Sequence, residues 1–127
     1  MAMHQKNIWH RDIKTQNIFI TKNDILKLGD FGISKQADTK SALNATSCGT
    51  PYYMSPEVCK ELPYDSKADV WALGVILYEL ITLKKPFDAE KMNQLFDKIV
   101  KETYQPLPDE THSNLKMLVS LLLNKDY

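Results

Sequence analysis

Hydrophobic and polar positions alternate in short runs near the start of the chain and settle into helical spacing later. Asn17 to Ile20 and Ile25 to Leu28 are two brief apolar runs separated by Thr21-Lys22-Asn23-Asp24. Asn and Asp between such runs supply turn chemistry, so the pattern predicts a small β-hairpin. From Gly29 to Pro56 neither a strand nor a helix period persists, and hydroxylated and small residues crowd Thr39 to Ser47. This predicts a long surface loop, of the kind that is usually functional or mobile. Helical spacing follows. Ser66 is placed to cap a helix running to about Leu83, with Asp69 at its fourth position, where a negative charge meets unpaired amides. Val70, Leu73, Leu77 and Leu80 fall on one side, and Trp71, Val75, Tyr78 and Thr82 on an adjacent side. A stripe this wide predicts burial on most sides, although Gly74 and Glu79 interrupt it, and Pro86 closes the segment. A second helix fits Ala89 to Val100, through Met92, Leu95, Phe96 and Ile99. A third fits Ser113 to Leu122, through Leu115, Leu118, Val119 and Leu122.

Composition narrows the class without naming a function. The 127 residues are 43% hydrophobic, enough for a packed core rather than disorder. Sixteen basic and sixteen acidic residues cancel, so bulk charge points to neither nucleic acid nor a charged membrane as partner. Cys48 and Cys59 make neither a disulfide framework nor a metal site and read as reduced thiols. The polar stretch Met1 to Lys6 is no signal peptide, and no apolar run reaches membrane length. The expected setting is cytoplasmic, with nuclear or cytoskeleton-associated settings as variants.

The chemistry-bearing residues flank the hairpin. His10-Arg11-Asp12-Ile13-Lys14-Thr15-Gln16-Asn17 precedes its first strand, and Asp30-Phe31-Gly32 follows its second. One hairpin can thus bring Asp12, Asn17 and Asp30 to one rim. Oxygen donors in that arrangement suit Mg2+, which takes carboxylate, amide and water oxygens together with substrate phosphate. A further carboxylate could orient a hydroxyl nucleophile, and Lys14 could offset charge on a transferring phosphoryl group. Taken singly, Asp30 reads as a turn carboxylate, Asn17 as a cap or turn residue, and His10 as a packed histidine donating to a carbonyl. Taken together, Asp12 with Asn17 five positions on, then Asp30-Phe31-Gly32, then Ser55-Pro56-Glu57, form an ordered signature that chance does not supply.

On these residues the chain resembles protein kinases, and more closely the NIMA-related serine/threonine group. The stretches that carry the likeness are His10 to Phe19, Lys27 to Ile33, Gly49 to Glu57 and Asp69 to Gly74. The resemblance implies ATP-dependent transfer of a γ-phosphoryl group to a serine or threonine hydroxyl of a protein substrate, with ATP and Mg2+ as cofactors. It implies that Asp12 accepts or orients the hydroxyl proton and that Lys14 contacts the transferring phosphate. Asn17 and Asp30 would hold Mg2+, and Phe19 would floor the adenine. His10 and Phe31 would join an internal hydrophobic stack, Thr50 would shape the pocket beyond the acceptor, and Asp69 would hold the backbone of the His10 loop. Arg11 before Asp12 implies switching by activation-loop phosphorylation, with Thr46 the first candidate and Ser47 the second. A regulatory protein partner is a further implication.

The same resemblance sets out what the chain lacks. The expected fold is kinase-like: a mainly helical large lobe with a small β-hairpin, a partial domain over residues 1–127. The N-terminal lobe and the end of the C-terminal lobe would be missing. No Gly-rich phosphate loop occurs, and the arginine expected to pair with Glu57 would lie beyond Tyr127. Trp9 stands where a branched aliphatic residue is commoner. The 127 residues alone are therefore expected to be inactive and poorly stable. The alternative is a non-catalytic kinase-like binding module or decoy. A small-molecule kinase would not account for Gly49-Thr50-Pro51 followed by Ser55-Pro56-Glu57.

Overall fold

A computed structural model describes residues 3–30, 35–36, 51–63 and 65–125. Phe31, Thr46, Ser47 and Thr50 lie outside the described residues, as does Cys48. A single 3-10 turn, His4–Lys6, leads into strand β1 (Ile8–Trp9). The His10–Asn17 segment follows and ends in a second 3-10 turn, Thr15–Asn17. Next come β2 (Ile18–Ile20), β3 (Leu26–Leu28) and β4 (Lys35–Gln36). The helices are α1 (Pro56–Cys59), α2 (Ser66–Thr82), α3 (Met92–Lys101) and α4 (Ser113–Leu122).

β2 and β3 pair antiparallel with Ile18 opposite Leu28 and Ile20 opposite Leu26. Their turn is closed by Thr21, whose amide donates to the Ile25 carbonyl at 2.9 Å and whose Oγ1 accepts from the Ile25 amide at 3.1 Å. Asp24 takes a left-handed φ of 58°, which an Asx residue tolerates better than most. β1 pairs antiparallel with β4, Ile8 opposite Gln36 and Trp9 opposite Lys35. Two-residue strands carry no period, so the hydropathy pattern had no means of predicting this second pair.

α2 is the axis of the helical part. Its cap is Asp65 rather than Ser66: the Asp65 carboxylate accepts from the Lys67 amide at 2.6 Å, and Ser66 is the first helical residue. The helix ends at Leu83, a left-handed cap with φ 57° whose amide donates to the Glu79 carbonyl at 2.8 Å. Trp71, Val75 and Tyr78 face a core completed by Phe87, Leu95, Ile99, Leu107, Val119 and Leu123. Trp71 and Phe87 stack with ring centroids 6.1 Å apart. The other predicted stripe is only partly covered, and its last member, Leu80, is 68% exposed. Gly74 lets α4 approach: a Cβ there would lie 2.8 Å from both Leu122 Cβ and Leu123 Cδ2.

α3 starts at Met92, later than the predicted Ala89, and runs to Lys101. Its first turn has no side-chain cap, whereas its last carbonyls are met by Lys125, whose ammonium donates to the carbonyls of Lys98 and Glu102 and lies 4.9 Å from the Phe87 ring centroid. Burial holds Lys125 below the ordinary lysine range. α4 has the predicted bounds, capped by His112, whose Nδ1 accepts from the Asn114 amide. Of its apolar residues Val119 is buried, while Leu115 and Leu118 are exposed. α1 is a single turn that starts where the predicted loop ends, opened by Pro56 at its first position, where a missing N–H costs nothing. Among the described residues, no helix is long and apolar enough to cross a membrane.

Candidate active site

The His10–Asn17 segment is held from below by one carboxylate. Asp69, fully buried in the first turn of α2, accepts from the His10 amide through Oδ2 at 2.9 Å and from the Arg11 amide through Oδ1 at 3.0 Å. His4 Nε2 lies 2.9 Å from the same Oδ2. This grip matters because Arg11 has φ 68°, a left-handed backbone that costs a residue with a Cβ on the order of 1–2 kcal/mol. The Arg11 guanidinium lies over the Trp9 ring, 5.6 Å from its centroid.

His10 is fully buried and ties the segment to the end of β3. Its Nε2 sits 2.9 Å from the Gly29 carbonyl, and its Nδ1 receives the Asp12 amide at 3.3 Å. A carbonyl only accepts and an amide only donates, so the imidazole is the Nε2–H tautomer. Ile13 is buried in a second small core with Ala72 and Ile76 of α2.

Above this anchor the polar side chains converge. The Asp12 carboxylate receives Lys14 Nζ at 2.6 Å and Asn17 Nδ2 at 3.0 Å, both on Oδ2. Asn17 Nδ2 also donates to the Asp12 carbonyl at 2.7 Å. The buried Asn17 therefore spends its NH2 group on Asp12 and keeps Oδ1 as its acceptor. The Gly29 amide donates to the Asn17 carbonyl at 2.9 Å, which brings Asp30, one residue on, to the same end of the hairpin as Asn17. Asp30 is exposed, with a left-handed φ of 56°. Gly29 lies under the Phe19 ring: a Cβ there would come within 2.7 Å of it, so the ring would have to shift. Phe19 itself is 55% exposed on β2. An amide and a carboxylate at one end of the hairpin are oxygen-bearing groups of the types that Mg2+ takes together with phosphate and water.

Glu57, the second residue of α1, is buried, and among the described residues no cation forms an ion pair with it. It pushes in the same direction as burial on the Cys59 thiol, whose pKa rises to about 12, chiefly through burial. Such a thiol stays protonated and unreactive.

A second polar cluster, which the motif reading did not identify, lies beside the first. Tyr53 OH donates to Glu79 Oε2 at 3.0 Å, receives Lys85 Nζ at 2.6 Å and lies 2.9 Å from Thr15 Oγ1. The one hint in the sequence was Glu79, a charge within the most apolar stretch of the chain.

The comparisons agree with this architecture. A family model described as protein kinase domain matches residues 1–127. The serine/threonine-protein kinase nekl-2 of Caenorhabditis elegans is 50% identical over 122 residues, covering 95% of this chain and 34% of that protein. The serine/threonine-protein kinase Nek1 of Mus musculus is 45% identical over 124 residues, 98% of this chain and 10% of that protein. The putative serine/threonine-protein kinase B of Trypanosoma brucei brucei is 48% identical over 126 residues, 98% of this chain and 29% of that protein. The chain thus spans about a third or less of the length of these relatives. With a helical platform, a short hairpin at its rim, and similarity to Nek kinases along nearly its whole length, the chain belongs to the protein kinase domain family.

Proposed function

We propose that this chain supplies the catalytic loop and magnesium-binding residues of a serine/threonine kinase that transfers the γ-phosphoryl group of ATP to a hydroxyl of a protein substrate. The observation that carries this reading is the convergence of Lys14 Nζ and Asn17 Nδ2 on one oxygen of Asp12. With Oδ2 occupied by these two donors, Oδ1 of Asp12 is the oxygen assigned to the acceptor hydroxyl and its proton. Lys14 then stands beside the point where negative charge shifts during transfer and stabilises it electrostatically. Asn17 and Asp30 would hold Mg2+, which when bound neutralises charge on the ATP phosphates. Asp69 and His10 keep this geometry without touching substrate. The names of the relatives, all serine/threonine kinases, support the hydroxyl amino acids as acceptors. Arg11 and a phosphate on Thr46 or Ser47 remain the regulatory reading drawn from the motif.

The test is phosphotransfer from Mg-ATP to a generic serine/threonine peptide by the full-length protein. Asp30→Ala should bring it to background with the thermal melt preserved. Asp12→Asn should lower turnover about 10²–10⁴-fold with little change in ATP affinity, because the group acts in the transition state. Near-normal transfer by Asp30→Ala would sink the assignment and leave a non-catalytic binding module as the reading.

A further inference from the structure

Two features around His10 have no part in the transfer chemistry. Trp9 stands where a branched aliphatic residue is commoner, and Arg11 has a left-handed backbone with φ 68°. The two meet: the Arg11 guanidinium carbon lies 5.6 Å from the centroid of the Trp9 ring. Both residues are half-buried, and they flank the fully buried His10. A guanidinium over an aromatic face is attracted by the ring quadrupole, and indole offers the strongest such face. An aliphatic side chain has no quadrupole, so the contact exists only because this chain carries an aromatic residue before His10.

The position of the contact gives it a use. The ring is fixed at its own end, since Trp9 belongs to β1 and pairs with Lys35 of β4. Arg11 is tied from the other direction, its amide donating to Asp69 Oδ1 at 3.0 Å. A left-handed turn is strained in a residue with a Cβ, so each further tie to residue 11 raises the share of molecules in which the turn is formed. Asp12 follows the turn directly. Its amide donates to His10 Nδ1 at 3.3 Å, a long hydrogen bond that holds it weakly. The direction of the Asp12 carboxylate therefore depends on the dihedrals of Arg11.

We propose that Trp9 is a positioning residue: its indole face holds the Arg11 guanidinium and, through the left-handed Arg11 turn, fixes the direction of the Asp12 carboxylate. The consequence for turnover rests on the kinase reading given above. The clamp itself is readable without turnover.

The experiment is a double-substitution cycle in the full-length protein, with Trp9→Leu, Arg11→Met and the pair. In Trp9→Leu, kcat for a generic serine/threonine peptide should fall about two- to fivefold, the worth of one partly exposed cation–π contact, with KM for ATP unchanged. Trp9→Tyr, which keeps an aromatic face, should retain most of the turnover. In the Arg11→Met background, Trp9→Leu should cost nothing further. The same cycle is read on the protection of the Asp12 amide against hydrogen exchange, which should fall by a similar factor in Trp9→Leu and no further in the pair. An unchanged kcat in Trp9→Leu, a loss that persists in full alongside Arg11→Met, or a Trp9→Tyr variant as impaired as Trp9→Leu overturns the proposal. An unsubstituted protein that transfers no more phosphate than its Asp30→Ala variant would instead break the kinase reading, and the exchange cycle would still decide whether Trp9 holds the turn through Arg11.

Discussion

The helical half and the His10–Asn17 loop of this molecule are held by opposite means. Around α2, stability is spread over Trp71, Val75, Phe87, Leu95, Ile99 and Val119, each buried among several others. The loop from His10 to Asn17 contributes Ile13 to an apolar cluster and otherwise hangs on polar contacts, above all on Asp69. An apolar core yields gradually, because each lost group is one of many. A polar anchor fails at once, because both amides lose the same acceptor. The platform and the loop should therefore respond differently to single changes.

Asp69→Ala gives the largest expected effect. It strands the His10 and Arg11 amides, each costing about 1–3 kcal/mol when left without an acceptor. Thermal unfolding of the full-length protein should drop accordingly, and hydrogen exchange should speed up at residues 10–12. A variant that melts normally with those amides still protected would break the contrast drawn here.

Gly74→Ala probes the platform instead. The new methyl group would press on Leu122 and Leu123, at an overpacking cost of about 1–3 kcal/mol less the gain in helix propensity. The melt should fall while exchange at His10 and Arg11, measured well below the transition, stays slow. Equal loss of protection in both regions would show that loop and platform open as one unit.

How far these regions were legible beforehand follows from the same contrast. Helical spacing identified α4 from Ser113 to Leu122 and the body of α2, because many residues vote for a 3.6 period. It misjudged which faces are covered, since Leu80 and Leu118 fit the period and yet are exposed. It chose Ser66 over its neighbour Asp65 as a cap, two residues of nearly equal preference. The start of α3 was placed three residues early at Ala89, where apolar spacing continues but the backbone is not yet helical. Asp12, Asn17 and Asp30 stood out by order and spacing. The cluster of Thr15, Tyr53, Glu79 and Lys85 did not, because its members come from three stretches that only tertiary packing brings together.

The smallest expected effect sharpens the picture at the far end of α2. Leu83 is 87% exposed and takes a left-handed backbone as the helix cap. Leu83→Gly removes that strain and adds backbone freedom to the unfolded chain, for a net stabilisation of about 0.5 kcal/mol. A small rise in melting temperature with unchanged exchange at Arg11 is the outcome to look for. A fall would mean that the exposed leucine makes a contact worth more than its strain.

The left-handed turn at Arg11 also has a consequence for the order of events in folding. The acceptor that holds its amide lies 58 residues away along the chain. Closing a loop of that length costs on the order of 3–4 kcal/mol in chain entropy, and a single hydrogen bond does not repay it. The turn can form only once α2 has found its place by other contacts. The geometry of the proposed site is then among the last properties the chain acquires, and a nascent or partly unfolded molecule carries every motif residue without their arrangement.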